Sequence, residues 1–174
     1  MSDQGPELIE QRGLYLDELK VDAIYVHKPG RTLTEADNVQ FTTMTMNNQG
    51  LHLDAAWTAT QPFGKPLVNS LLTLSTMIGQ SVPQLTEGTI IGQLGLNDVN
   101  FPHPMFHGDT LYTQTEITQL RESKSRPGQG IVSMKHTGRN QNGVVVATAT
   151  RTCLMWSKAA HLASLEPTEG GTRG

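Results

Sequence analysis

Asn69-Ser70-Leu71-Leu72-Thr73-Leu74-Ser75-Thr76-Met77-Ile78-Gly79-Gln80-Ser81-Val82 is the stretch that decides the fold. Leu71, Leu72, Leu74, Met77 and Ile78 cover a wide arc of a helix, with mostly small hydroxyl residues between them. An apolar arc this broad predicts a helix over 70–82 that is surrounded by protein instead of lying on a surface. Asn69 or Ser70 can cap its start, and Pro83 predicts a stop nearby. Everything downstream reads as strand. Residues 89–99 are rich in Ile, Leu and Val, and over 109–119 Leu111, Thr113, Thr115 and Ile117 alternate onto one face. Residues 130–138 and 144–156 follow, joined by Asn142-Gly143, the strongest short hairpin signal in the chain. Helices first and long antiparallel strands afterwards give an α+β class, with one curved antiparallel sheet wrapped around a central buried helix.

Upstream of the central helix, Thr34-Glu35-Ala36-Asp37 reads as a capping box. Ala36, Val39, Phe41 and Met44 then predict a moderately amphipathic helix ending near Met46. A second helix is expected from His52 to Thr60, burying Leu53, Ala56 and Trp57, with Pro62 and Gly64 closing it. Residues 13–19 are expected to dock on the domain, which spans 13–157. The polar residues 1–12 read as a flexible start and the Gly-, Thr- and Glu-rich residues 158–174 as a loose tail. No internal repeat suggests two fused units.

Composition narrows the function classes. The chain has 174 residues, 36% hydrophobic and 17% charged, with a formal net charge of −3. That length suits one domain with a sizeable core. The basic residues form no block, which argues against nucleic acid or a polybasic membrane surface as partner. No apolar run approaches the roughly 20 residues that span a bilayer, and no signal-peptide pattern opens the chain. A cytoplasmic protein is the expectation. Cys153, the single cysteine, fits that compartment and reads as a buried, inert thiol in a strand.

Phe41-Thr-Thr-Met-Thr-Met-Asn-Asn-Gln-Gly-Leu-His-Leu-Asp54 carries the chemical signal. It puts His52 just past an Asn-Asn-Gln-Gly turn, between two helical segments. Imidazole is the side chain best suited to proton transfer near neutral pH. A lone histidine at a helix start also serves as a hydrogen-bonded structural residue, and the residues alone leave both readings open.

This segment resembles the Gly-Asp-x-Asn-Pro-Leu-His signature of the MaoC-like dehydratase family, the R-specific enoyl-CoA hydratases. On Leu51-His52, the family's catalytic Asp falls on Asn47 and its Asn-Pro pair on Gln49-Gly50. Gly30–Asp37 resembles the family's approach to its first helix, and Phe63–Ser70 the approach to the central helix. Phe106–Leu111 resembles a strand start and Ser123–Pro127 a hairpin, so the resemblance runs from about Gly13 to Trp156. It implies the hot-dog fold, an acyl-CoA thioester substrate and at least a homodimer joined edge to edge. No metal or redox cofactor is implied, coenzyme A being part of the substrate.

The resemblance also implies roles. His52 moves the proton. The family opens its central helix with His-Gly, whose Gly N–H binds the thioester oxygen; Asn69-Ser70 stands here, making the Ser70 N–H the oxyanion candidate. Asn47 is a departure, since an amide takes no proton at neutral pH but can orient water. Three accounts compete: His52 as sole base with Asn47 placing the water, Asp54 as a second group, or assistance from a carboxylate on the substrate. Residues 46–54 with Asn69-Ser70 resemble the itaconyl-CoA or mesaconyl-CoA hydratase-like branch, which handles short, branched dicarboxylic acyl groups.

Further candidates have plain structural readings beside them. Arg31 is a candidate for a distal carboxylate, or else a surface ion pair. Lys124 and Arg126 are candidates for coenzyme A phosphates, or else an ordinary solvated loop. Trp57 either walls the acyl pocket or sits in the core. His103 and His107 are four apart, but Pro102 and Pro104 argue against the helix a metal pair would use, leaving a loop or interface role. A hot-dog thioesterase and a catalytically silent acyl-CoA-binding subunit are the alternatives to a hydratase or dehydratase.

Overall fold

The structure is a computed structural model, which describes residues 6–166. A turn of 3-10 helix at Leu16–Glu18 is followed by strands β1 (Ile24–Val26) and β2 (Arg31–Thr32) and helices α1 (Glu35–Met44), α2 (Gly50–Leu53), α3 (Ala55–Thr58) and α4 (Ser70–Leu85). Strands β3 (Ile90–Asn100), β4 (Thr110–Glu122), β5 (Gln129–Arg139) and β6 (Val145–Trp156) come next, and α5 (Lys158–Leu165) closes the described chain. The six strands pair antiparallel in the order β1-β4-β5-β6-β3, with β2 also on β4. Helix α4 lies against the inner face of this sheet and buries Thr73, Met77, Ser81 and Leu85, one residue every four. This is the hot-dog fold.

The expected alternation on β4 holds: Leu111, Thr113, Thr115 and Ile117 are all buried. The β5–β6 turn closes as Asn142-Gly143 predicts, with Gly143 at φ +76° and the Asn140 side-chain oxygen accepting from the Asn142 and Val144 N–H groups. At the other end the chain docks through Gly13, whose N–H donates to the Glu87 carbonyl at 2.7 Å. A Cβ there would stand 2.5 Å from the Thr86 nitrogen, so only glycine permits this approach.

Two apolar clusters fill the interior. One holds Leu16, Leu85, Ile117, Val132, Met134, Cys153 and Met155, the other Leu33, Val68, Met77, Met105, Leu111, Val146 and Ala149. Each fully buried Leu or Met contributes roughly 1.5–3 kcal/mol. A polar belt separates the clusters, because Ser81, Thr115, His136 and Arg151 occupy the intervening inward positions of α4, β4, β5 and β6. Within it His27 Nε2 lies 2.7 Å from Thr115 Oγ1, which lies 2.7 Å from His136 Nδ1. Among the described residues His136 Nε2 and Arg151 Nη1 have no hydrogen-bond partner.

The structure corrects several expectations. Helix α1 buries Asn38 and Thr42, while Val39 and Met44 are exposed, so its polar side faces inward. The expected second helix is broken at Asp54 into α2 and α3, and Leu53, Ala56 and Trp57 are exposed while Thr58 is buried. The break follows from Asp54, which leaves helical geometry to cap α3 by accepting from the Trp57 N–H at 2.8 Å. Helix α4 runs through Pro83 to Leu85 and is not enclosed within one chain, since Leu71 is 54% exposed. Strands β1 and β2 were not anticipated. Residues 158–165, expected as tail, form α5, where His161 stacks on Trp156 and meets Tyr15. The remainder of that expected tail, from residue 167, lies outside the described residues, as do residues 1–5 of the expected flexible start. Cys153 is buried, and burial pushes its thiol pKa up, away from the nucleophilic thiolate.

Candidate active site

His52 sits in α2, nearly buried, with Nδ1 2.9 Å from the Leu67 carbonyl oxygen. A carbonyl only accepts, so the ring donates through Nδ1 and the neutral imidazole keeps Nε2 as its free basic nitrogen. The Leu67 N–H in turn donates to the Leu51 carbonyl at 3.0 Å, closing a two-way tie between α2 and the segment leading to α4.

Asn38 is the hub of this arrangement. Its Nδ2 reaches the carbonyls of His52 at 3.2 Å and Leu67 at 3.3 Å and the His107 Nε2 at 3.0 Å. Its Oδ1 accepts from the Asn69 N–H at 2.7 Å. Asn69 caps α4, accepting from the Leu71 N–H at 3.0 Å, and its amide nitrogen donates to Thr42 Oγ1 at 3.3 Å. The two polar residues that α1 turns inward therefore hold both the histidine backbone and the start of α4. Among the described residues no group accepts the Ser70 N–H, the first helical donor of α4, where the helix dipole favours negative charge.

His52 and Ser70 share a cavity of about 330 Å³. Leu51, Leu67, Val68, Met105 and Val146 give it apolar walls, Phe63 and Phe101 stand at its sides, and Thr73 lies one turn along α4 from Ser70. The segment Phe101–Met105 adds His103; among the described residues no Asp, Glu, Lys or Arg lines the cavity. Another cavity, of about 350 Å³, has His27, Gln80 and Gln84 on its wall. Both nitrogens of His27 are already engaged, by Gln84 Oε1 at 2.8 Å and Thr115 Oγ1 at 2.7 Å, which leaves none for proton transfer.

Of the candidate residues, His52, Ser70 and, behind them, Asn69 come together. Asn47 is exposed and off the cavity wall, with its N–H donating to Thr42 O at 2.9 Å. Asp54 caps α3. Arg31 forms an exposed ion pair with Asp37 at 2.8 Å. Trp57, 43% exposed, lies over Gly50 and belongs neither to the core nor to the cavity. Lys124 and Arg126 lie in the exposed β4–β5 turn, at the opposite end of β4 from Thr110, about 40 Å away along a 13-residue strand. His107 binds Asn38. Among the described residues no cluster of three His, Cys, Asp or Glu is spaced to hold a metal ion.

Sequence reasoning missed Asn38, the Leu67 carbonyl and the position of His103. Asn38 and Thr42 are four apart, one above the other on a helix, but polar residues at that spacing usually mark a solvated face. A main-chain acceptor leaves no trace in side-chain identity.

Fold and site together define a hot-dog domain whose cavity is lined by His52, His103 and Ser70, the first residue of the central helix. The chain belongs to the MaoC like domain family, whose model matches residues 18–140. It is 28% identical over 140 residues to the beta-methylmalyl-CoA dehydratase of Chloroflexus aurantiacus, covering 77% of this chain and 38% of that protein. It is 34% identical over 93 residues to the (R)-specific enoyl-CoA hydratase of Aeromonas caviae, covering 51% of this chain and 65% of that one. The chain thus spans less than two thirds of either relative. The MaoC-like dehydratase structure from Rhodospirillum rubrum superposes with a TM-score of 0.74 at 26% identity, covering 84% of this chain and 99% of that one.

Proposed function

We propose that this domain adds or removes water reversibly across the α,β double bond of a short enoyl-CoA, with R specificity. The observation that carries the reading is one cavity lined both by His52, whose Nε2 is left free, and by Ser70, whose N–H is unengaged. Hydration needs a base for the attacking water and a fixed donor for the thioester oxygen, which gathers negative charge as the β-carbon is attacked. His52 and Ser70 are of the right chemical types for these two tasks. Coenzyme A enters as part of the substrate, and the reaction calls for no metal or redox cofactor.

The acyl group we propose is short, branched and dicarboxylic, of the itaconyl or mesaconyl type. Supporting this are the resemblance of residues 46–54 and 69–70 and the likeness to a beta-methylmalyl-CoA dehydratase. A cavity of about 330 Å³ suits a short acyl group. The exposed positions of Asn47 and Arg31 give no support to their suggested roles as water placer and carboxylate anchor.

We propose a homodimer formed along β3. That strand pairs on one side only, with β6, and shows Ile91, Leu94 and Val99 to solvent. An unpaired apolar strand edge is stabilised by pairing with a second copy. Among the described residues no helix is long and apolar enough to cross a membrane; a cytoplasmic site of action is part of the proposal.

The test is loss of enoyl-thioester absorbance across crotonyl-, mesaconyl- and itaconyl-CoA, with His52→Ala alongside. Turnover that falls at least about 100-fold in His52→Ala supports the hydratase. Free thiol released from acyl-CoA would favour the thioesterase, and binding without turnover the silent subunit.

A further inference from the structure

We infer that His103 is the second proton-transfer group of this cavity, working with His52; the inference rests on the hydratase reading above. Among the described residues, His52 and His103 are the only imidazole side chains on the cavity wall. They are held in the same way. His103 Nδ1 lies 3.0 Å from the Val145 carbonyl oxygen, as His52 Nδ1 lies 2.9 Å from that of Leu67. Each ring therefore donates through Nδ1 and keeps Nε2 for chemistry. Pro102 and Pro104 fix the backbone φ on both sides of His103, so the segment that carries it is stiff. Asn47, at the position where the resemblance implies an Asp, is exposed and off the wall, and among the described residues no carboxylate lines the cavity to take a second role.

The division of labour follows from position. His52 is nearly buried, whereas His103 is exposed to bulk water. In hydration, the water oxygen forms a bond to the β-carbon while neutral His52 takes the water proton at Nε2. The π pair of the double bond moves toward the α-carbon and thioester oxygen, giving an enolate held by the Ser70 N–H. The enolate collapses, and the α-carbon takes the Nε2 proton of the His103 imidazolium. One water has been added; His52 carries a proton and His103 has lost one. A proton passed between them through solvent resets the pair, and dehydration is the reverse.

The experiment uses crotonyl-CoA, which has no second carboxylate, with His103→Ala, His103→Gln and His52→Ala in the full chain. Glutamine keeps an N–H donor for the Val145 carbonyl but cannot transfer a proton. Both His103 variants are expected to lose about 100-fold or more in kcat, with KM within about 3-fold. A bell-shaped pH profile of kcat/KM in the wild type should lose its high-pH limb in both, because that limb reports loss of the acid's proton. Full activity in His103→Gln beside a damaged His103→Ala would reduce His103 to a loop anchor and overturn the inference. So would an unchanged kcat with a change confined to KM, which would make His103 a substrate contact. Either result, with turnover still dependent on His52, leaves the hydratase reading standing; a wild type that hydrates no enoyl-CoA removes both.

Discussion

The Leu67 carbonyl accepts from His52 Nδ1 at 2.9 Å and also from the Asn38 amide at 3.3 Å. One oxygen thus fixes the tautomer of the imidazole and is itself fixed by the residue that holds the Asn69 N–H. The nitrogen left for chemistry is determined by main-chain geometry, so it does not depend on a neighbouring carboxylate.

Replacing Ser70 by proline removes the proposed oxyanion donor and little else. Proline is well tolerated at the first helical position, and Asn69, at ψ 127°, already has the extended backbone that a following proline requires. We expect unchanged helix content by circular dichroism and a fall in kcat on crotonyl-CoA of about 10²–10³. Activity within a few-fold of wild type would show that the Ser70 N–H is not the donor.

Asn38→Ala should damage stability and rate together. It removes the partner of the buried Asn69 N–H and the donors to two carbonyls. The expected cost is about 2–4 kcal/mol, read as a lower urea midpoint, with kcat reduced at least about tenfold. Thr42→Val touches only the Asn69 side chain at 3.3 Å and should cost less on both counts.

Asn47→Asp should leave kcat within an order of magnitude, since the side chain is exposed and away from the cavity wall. A large gain on any enoyl-CoA would mean that a carboxylate at residue 47 reaches the substrate and that the amide is a handicap.

Acid should destabilise the fold through the polar belt. Burial, and then the Arg151 and His27 charges, push the His136 pKa down to about 3; burial also lowers that of His27, against an opposing hydrogen bond from Gln84. In the unfolded chain both titrate near 6.5. Between about pH 6 and pH 4 the unfolded state therefore binds more protons, and stability falls as pH falls. The slope is up to about 1.4 kcal/mol per pH unit for His136, and His27 adds in the same direction. Urea midpoints at pH 7, 6, 5 and 4 measure it, and His136→Gln should flatten the curve by one proton.

Much of the framework was legible because its signals are local. The Leu111–Ile117 alternation, the Thr34–Asp37 capping box and the Asn142-Gly143 turn each follow from a few neighbouring residues, and each is present. What was not legible depends on contacts between distant segments. Helix α1 looks amphipathic with Val39 and Met44 inward, yet Asn38 and Thr42 face in because the start of α4 needs partners for its polar groups. Strands β1 and β2 are too short, at three and two residues, for periodicity to reveal them. His103 reads as a loop residue until the chain reversal beside Val145 brings it to the wall that His52 shares.

The polar belt makes the interior two compartments in series, with α4 as the beam crossing from Met77 in one to Leu85 in the other. The cavity lined by His52 and Ser70 borders, among the described residues, only the Met77 compartment, through Val68, Met105 and Val146. Its walls can therefore be recut for a larger or differently shaped ligand while the Leu85 compartment, anchored by Gly13, Leu16 and β5, keeps the sheet closed on the beam. Variety in the cavity and security in the frame are assigned to opposite ends of one helix.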